Sequence, residues 1–367
     1  MRFHTILVLA ILTLLFLAPR TQAQLGDAGD ILRGGAEDAN LLIENYLQPY
    51  ASGFGAGLNS GWFNTAKPYG ILGFDLRAGA SFAFVPDADL FFDISDLTFQ
   101  SLEHLGGPME SPTVAGDDTD GAILGQTYTY NHPLTGLPVT EELFSFTMPP
   151  GTDFPYVPAP IGQISVGLIN DTEISLRFMP TINISDIGSV GLWGAGVKHG
   201  VNQWIPGGSI LPVDISVQLG YTSLTADASL EVEPEIDGDT ENPYRASTWD
   251  GQGIEMKSSG TTFNVLVGKS LPVLSVYGGV GLQSSTTTIA TPGNYPLTVP
   301  NPDYPEKSNN TKRVESLESP IDLKLKGDNS AHALVGMRVR LTFLTFSASY
   351  TIAKYPVVNV GVGLSFR

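Results

Sequence analysis

The chain has 367 residues, 41 of them glycine and 26 proline, with no cysteine and 19 basic against 37 acidic side chains, a formal net charge of -18. That balance excludes a nucleic-acid binder, whose phosphate contacts need clustered Lys and Arg. The absence of cysteine excludes a disulfide framework and any thiolate metal site, and a mean hydropathy of +0.07 is high for a chain in which 15% of residues are charged.

The sequence opens MRFHTILVLAILTLLFLAPRTQAQ, with Arg2 ahead of an apolar run at 6–18 and Thr21-Gln22-Ala23 after it. A positive start, a short apolar core and a small residue at the cleavage point predict a secretory signal at 1–23, cut after Ala23. The run is too short to cross a bilayer as a helix, and no later apolar run reaches about 18 residues. The expectation is an exported protein with no helical span.

Residues 24–70 read differently from the rest. Leu32, Ala36, Ala39, Ile43 and Tyr46 recur at helical spacing, with Glu37, Asp38, Asn40 and Glu44 elsewhere. A glycine-rich stretch, GFGAGLNSGWFNTAKPYG, follows at 53–70. This segment is expected to fold into the lumen as a helical plug, its glycines letting the backbone approach a wall closely; the alternative is a segment that stays periplasmic.

From residue 71 to 367 a two-residue alternation dominates. In 72–84 the apolar residues Leu72, Phe74, Leu76, Phe82 and Phe84 stand at even positions, with Asp75, Arg77 and Ser81 between them. The chain ends on the same pattern, with Val358, Val360, Val362, Leu364 and Phe366 separated by Asn359, Gly361, Gly363 and Ser365. Such alternation is a strand with one apolar and one polar face. Ten strands are predicted near 72–84, 161–169, 172–180, 187–198, 213–225, 254–268, 273–289, 331–342, 345–353 and 357–366. A soluble β-sandwich also alternates, but its strands are usually about 5 to 6 residues long. Strands of about 9 to 11 residues with small, weakly charged polar faces suit a transmembrane antiparallel β-barrel, the only way strands satisfy their backbone in lipid.

If both chain ends face the periplasm, the turns near 170, 270 and 343 fall on one side. The long connections 86–160, 226–253 and 290–330 fall on the other, as outer-membrane barrels require. The first of these could hold two further strands, at 90–99 and 123–130, so the expected total is even and lies between 10 and 14. The long loops are acidic: 100–160 has no Lys or Arg, and 226–253 has Arg245 alone. Like-charged, solvated loops explain this. Asp237, Asp239 and Glu241 also alternate like calcium ligands, though no full calcium-loop pattern follows.

The polar face names the candidate lumen residues: Asp75, Arg77, Arg177, Asp214, Gln218, His332, Arg338 and Arg340, joined by Asn264, Gln283 and Asn359. Two readings stay open. The acids could pair with the arginines and stiffen the barrel, or the set could line a solute path or hold the plug. No catalytic, cofactor or metal site is expected. GFGAGLNSG lacks the Gly-Lys-Ser/Thr of a phosphate loop, and His104, His132, His199 and His332 are scattered. Trp204 reads as an anchor at the periplasmic interface, with its ring buried and its N–H wet.

The ending VGVGLSFR resembles the last strand of Gram-negative outer-membrane barrels, with Arg367 after the usual terminal aromatic. That resemblance implies outer-membrane lipid and the barrel insertion machinery as partners. The helical N-terminus at 25–47, Asn59-Ser60-Gly61-Trp62-Phe63-Asn64, and the ending with Tyr350-Thr351 and Gly361 to Phe366 are similar to the FadL-like long-chain fatty-acid transporters. The resemblance implies a barrel of about fourteen strands, an N-terminal hatch and sideways exit of apolar substrates through the wall. Passive transport of small hydrophobic molecules is therefore the leading expectation. A structural or surface barrel, or a polar-solute porin, is the alternative.

Overall fold

The structure is a computed structural model and describes residues 31, 35–131, 136–184, 188–234 and 236–366. The signal segment with its cut after Ala23 and the terminal Arg367 lie outside the described residues.

Ten strands form the wall: β1 (Phe74–Phe84), β2 (Tyr156–Gly167), β3 (Thr172–Ile184), β4 (Gly188–Gly200), β5 (Asp214–Ser229), β6 (Gly253–Ser270), β7 (Leu274–Ala290), β8 (Ala331–Leu341), β9 (Leu344–Ile352) and β10 (Val357–Phe366). Each pairs antiparallel with the next, and β10 returns to β1 in unbroken register from Phe74 opposite Phe366 to Ala83 opposite Val357. The sheet therefore closes on itself into a cylinder. An eleventh strand, Asp322–Lys326, lies along the upper part of β7 where β8 has left it. The tight β2–β3 turn carries Asn170 and Asp171, both at positive φ (55° and 49°). Such a two-residue turn matches the twist of the flanking strands.

Polarity is inverted relative to a soluble protein. Asp75, Arg77, Glu173, Arg177, Lys198 and Gln218 are buried, whereas Leu76, Leu176, Phe178, Val280, Leu282 and Val335 lie exposed on the outer face. Aromatic rings mark the two ends of this apolar belt. Phe74 stacks on Phe366 (5.3 Å) beside Phe343 at one end, and Phe84 meets Tyr156 edge-on (5.1 Å) at the other. Phe74 and Phe84 are separated by about 33 Å along the strand. A strand tilt of about 40° reduces that to roughly 25 Å along the axis, the height of the apolar band in such barrels. The fold is a transmembrane antiparallel β-barrel. No described helix is long and apolar enough to cross a membrane.

One end of the cylinder, the turn end, carries the links at 168–171, 271–273 and 342–343 and the longer link 201–213 with its two short 3-10 turns. The other, the loop end, carries the long connections, which fold into a cap. One small sheet there unites Glu103–Gly106, Ile123–Asn131 and Pro138–Thr147, and another unites Thr240–Glu241, Asn294–Pro300 and Lys312–Glu318.

The two extra wall strands expected in the first long loop are not in the wall. At 90–99 there is a three-residue strand, Phe91–Asp93, and a 3-10 turn, Ile94–Asp96. Ile123–Asn131 is a strand, but it pairs with its own hairpin partner Pro138–Thr147 inside the cap. Its Leu124 packs with Phe146 and Met148 in the cap's own apolar core, so its alternation serves that core and not lipid. The wall strand expected at 161–169 begins instead at Tyr156, running through Pro158 and Pro160.

Candidate functional site

Inside the cylinder lies helix α1 (Ala36–Asn59), followed by an extended segment, 60–73, that leads into β1. The N-terminal half of α1 packs under the cap: Leu42, Ile43 and Tyr46 join Leu124, Phe146, Leu323 and Leu325 in one apolar core. Its C-terminal half runs down β2 on a face of glycines. Gly53 meets Val157, Gly57 meets Ala159 and Gly61 meets Ile161, each so closely that a Cβ on the glycine would collide with the wall side chain. Gly53 and Gly57, four apart on the helix, thus match inward residues two apart on the strand, spacings of about 6.0 and 6.6 Å, and Gly61, just past the helix end, continues the row.

Below α1 the wall turns polar, and its donors converge on plug carbonyls. Arg177 donates from Nη1 to Leu58 O (2.8 Å) and from Nη2 to Ser60 O (2.6 Å). Thr222 Oγ1 also donates to Leu58 O (3.1 Å). Arg77 Nη2 donates to Gly61 O (2.7 Å), Gln163 Nε2 to Trp62 O (2.9 Å) and Tyr277 Oη to Phe63 O (3.3 Å). Lys198 Nζ donates to Thr65 O (3.1 Å), and Ser216 Oγ to Ala66 O (2.8 Å). Carbonyls at the C-terminal end of a helix lack helical partners and carry partial negative charge. Guanidinium and ammonium groups are therefore the natural wall groups at this level.

Trp62 is a large plug side chain that the wall accommodates here, beside Phe63 against Tyr277. The Arg177 guanidinium lies 3.9 Å from the indole ring centroid. Space for the ring comes from Gly196 and Gly220, whose Cβ atoms would stand 2.8 and 2.5 Å from it. Further down, Lys198 and Glu173 form a buried ion pair (2.9 Å), and Glu173 also accepts from the Tyr69 amide (3.1 Å). Arg338 Nη1 donates to Tyr69 Oη (2.8 Å), Tyr69 Oη to Asn64 Oδ1 (3.0 Å), and Asn64 Nδ2 reaches Asp75 Oδ2 (3.4 Å).

Among the eight expected lumen residues, Asp75, Arg77, Arg177, Gln218 and Arg338 are buried in the bore. The structure brings four of them, Asp75, Arg77, Arg177 and Arg338, to the plug. Gln218 Oε1 accepts from Asn264 Nδ2 (2.6 Å), and His332 Nε2 donates to Asn264 Oδ1 (2.7 Å), forming a wall-to-wall chain beside the plug. Asp214 and Arg340 are half-buried at the turn-end rim, where Arg340 donates to Pro272 O (3.4 Å). Among the described residues no ion pair joins Asp75 or Asp214 to Arg77, Arg177 or Arg338; these arginines turn to carbonyls and to Tyr69 instead. Gln163, Glu173, Lys198, Ser216, Thr222 and Tyr277 escaped the sequence reading. Glu173 stands four residues before Arg177 on the same face of β3, so period two alone could have found it.

Two other expectations change. Trp204 is exposed at the turn end as expected of an anchor, but its N–H is not wet: Nε1 donates to His199 Nε2 (2.9 Å). Asp237, Asp239 and Glu241 do not converge as metal ligands, and no group of three metal-ligating side chains exists among the described residues. The Thr240 hydroxyl and the Asp239 amide hold the Asp237 carboxyl below its usual range. Asp239 accepts from Thr311, and Glu241 from Asn301 and Ser308. These acids bind the cap strands together.

The family model described as "Family of unknown function (DUF6588)" matches residues 1–366. The chain belongs to this family. No curated protein matches the sequence. Among solved structures, the translocator domain of autotransporter NalP from Neisseria meningitidis is 10% identical, with 80% of this chain and 88% of that chain covered and a TM-score of 0.27. A mutant of the Rh. blastica porin is 9% identical, with 80% and 98% covered and a TM-score of 0.14. At these scores the superpositions carry no argument about function. In this DUF6588 member the bore is filled by a segment held through its main chain.

Proposed function

We propose that this DUF6588 protein is an outer-membrane barrel that passes small apolar molecules, fatty acids among them, from its loop end into the bilayer through the wall between β2 and β3. The supporting observation is an interrupted seam. β2 pairs with β1 along its whole length, but with β3 only from Gly167 opposite Glu173 up to Gln163 opposite Arg177. Above that level stand Pro158 and Pro160 on β2 and Pro180 on β3. The bonds from Val85 N to Pro155 O and from Gly167 N to Gly73 O show that odd positions of β2 face β1. The main chain of Pro158 and Pro160 therefore turns toward β3, where neither residue has an N–H to offer. Continuing the register sets Pro160 opposite Pro180, a pair without a donor on either side.

The lining agrees with an apolar cargo. Behind the seam the inward residues are Val157, Ala159 and Met179, and the core around Leu58, Val190, Leu192 and Leu224 lies alongside. The polar clasp below would block an aqueous leak toward the turn end. On this reading the exported, signal-cleaved chain has outer-membrane lipid around its belt as a partner. The insertion machinery takes hold of β10, and no catalytic group is required.

Replacing Pro158, Pro160 and Pro180 together by valine restores the missing donors and should zip the seam. Uptake of a fluorescent fatty acid into proteoliposomes should fall while the unboiled protein still migrates as a folded barrel on a denaturing gel. Wild-type uptake no faster than in empty vesicles would refute transport. Unchanged uptake in the triple variant would refute this route. A second reading, a permanently sealed structural barrel, draws on the density of carbonyl contacts to the plug. It gains if wild-type uptake is absent.

A further inference from the structure

The direction of α1 in the bore has a topological consequence. Asp38, in its first turn, accepts from the Gln100 and Ser101 amides (both 2.8 Å) and the Leu102 amide (2.9 Å), all in the loop-end cap. Val114 N donates to Tyr46 O (3.0 Å), Tyr46 Oη to Pro150 O (2.9 Å) and Gln48 Nε2 to Lys326 O (2.8 Å), again in the cap. Ile31 is fully buried in the same cap core. At the opposite end, Thr65 and Ala66 meet Lys198 and Ser216 near the turn end, and Phe74 begins β1 opposite Phe366. The chain therefore traverses the whole bore, from loop end to turn end, before its first wall strand starts at the turn end.

We infer that the polypeptide is threaded through its own barrel, so that the start of α1 is presented on the external, loop side while both ends of the wall sheet begin and finish at the turn end. The fit around α1 makes later insertion from the turn end implausible on physical grounds. The bulky cap-facing residues Leu42, Ile43, Tyr46 and Tyr50 would have to pass a bore whose wall touches even glycines, and the buried clasp groups would be stripped of partners meanwhile. The wall closes, β1 on β10, around a segment already in place. This inference is independent of the transport reading and needs only the closed barrel.

The chain has no cysteine, so single-cysteine variants report cleanly. Glu37 and Glu44, at the start of α1, are exposed, as are Glu306 in the cap and Ile210 in the turn-end link. Each is replaced in turn by cysteine in the full chain. Cells are treated intact, and again after opening the outer membrane, with a polyethylene-glycol maleimide too large for porins. Glu37→Cys and Glu44→Cys should label together with Glu306→Cys, and apart from Ile210→Cys. Labelling that follows Ile210→Cys would overturn the inference, as would failure of both α1 sites to label where Glu306→Cys does. Should Ile210→Cys label on intact cells and Glu306→Cys not, the barrel's orientation in the membrane is reversed. The threading is still decided by which of the two the α1 sites follow.

Discussion

Arg177 covers the indole of Trp62 at 3.9 Å while its two terminal nitrogens donate to the carbonyls of Leu58 and Ser60 on either side of the helix end. One planar side chain thus caps α1, fixes the following turn and seals the widest plug side chain against the wall. Lysine cannot do this, because a compact ammonium neither forks nor stacks.

Arg177→Ala should therefore destabilise the barrel by about 3 kcal/mol, from the Ser60 carbonyl left without this donor, the Leu58 carbonyl left with Thr222 alone, and the lost cation–π contact. Arg177→Lys should recover less than half of that. Urea unfolding in lipid vesicles measures both. In planar bilayers the alanine variant should also show brief openings that the wild type lacks, because the plug end is released.

The Lys198–Glu173 pair is buried on both sides. Lys198→Met alone leaves a carboxylate without its cation, a loss of about 3 to 5 kcal/mol. The double variant Lys198→Met, Glu173→Leu should recover part of it. The remainder reflects the Tyr69 amide and the Thr65 carbonyl, which lose their acceptor and donor. The check is a double-mutant cycle on the urea midpoint; additive losses would show that the pair acts only through the plug.

Gly220→Ala places a methyl 2.5 Å from Trp62. Overpacking of this kind costs about 1 to 3 kcal/mol. Trp62→Phe removes the part of the indole nearest Gly220, so the same alanine should cost less in that background. Equal losses in both backgrounds would locate the strain elsewhere.

Asp38 gives a pH dependence at the loop end. Burial alone would raise its carboxyl pKa, but the Gln100, Ser101 and Leu102 amides outweigh that and hold it below the usual 3.8. A depressed folded value means stability that is fully present above pH 3.8 and lost as pH falls through the lower folded value. Protection of the 100–102 amides, taken relative to the intrinsic exchange rate at each pH, should fall over that acidic window. In Asp38→Asn this protection should be low already at neutral pH and change little with acid.

The wall was legible because lipid imposes period two on every strand, so 72–84, 213–225 and 357–366 could be read within a few residues of β1, β5 and β10. The polar face was legible for the same reason, and Arg77, Arg177 and Arg338 were found by parity. Their partners were not, because a main-chain carbonyl has no signature in a sequence. Charges on one face suggest acid–base pairing, whereas these arginines bind the backbone of 58–61 and the ring of Tyr69. Ile123–Asn131 misled because a small cap sheet with its own apolar core alternates just as a wall strand does. Pro158 and Pro160 cut the expected strand short. They are tolerated because they lie on the one edge of β2 that is left unpaired.

The clasp creates an uneven vulnerability to mutation. Every residue from 58 to 66 keeps its carbonyl whatever side chain it acquires, so drift in that stretch leaves the bonds intact wherever shape permits. Each wall donor, by contrast, is a side chain that a single codon change can delete. A saturation scan read out by folding should therefore find Ser60, whose side chain belongs to none of the apolar cores, permissive beside intolerant Arg177, Gln163 and Lys198, a lopsidedness that contact between two side chains would not produce.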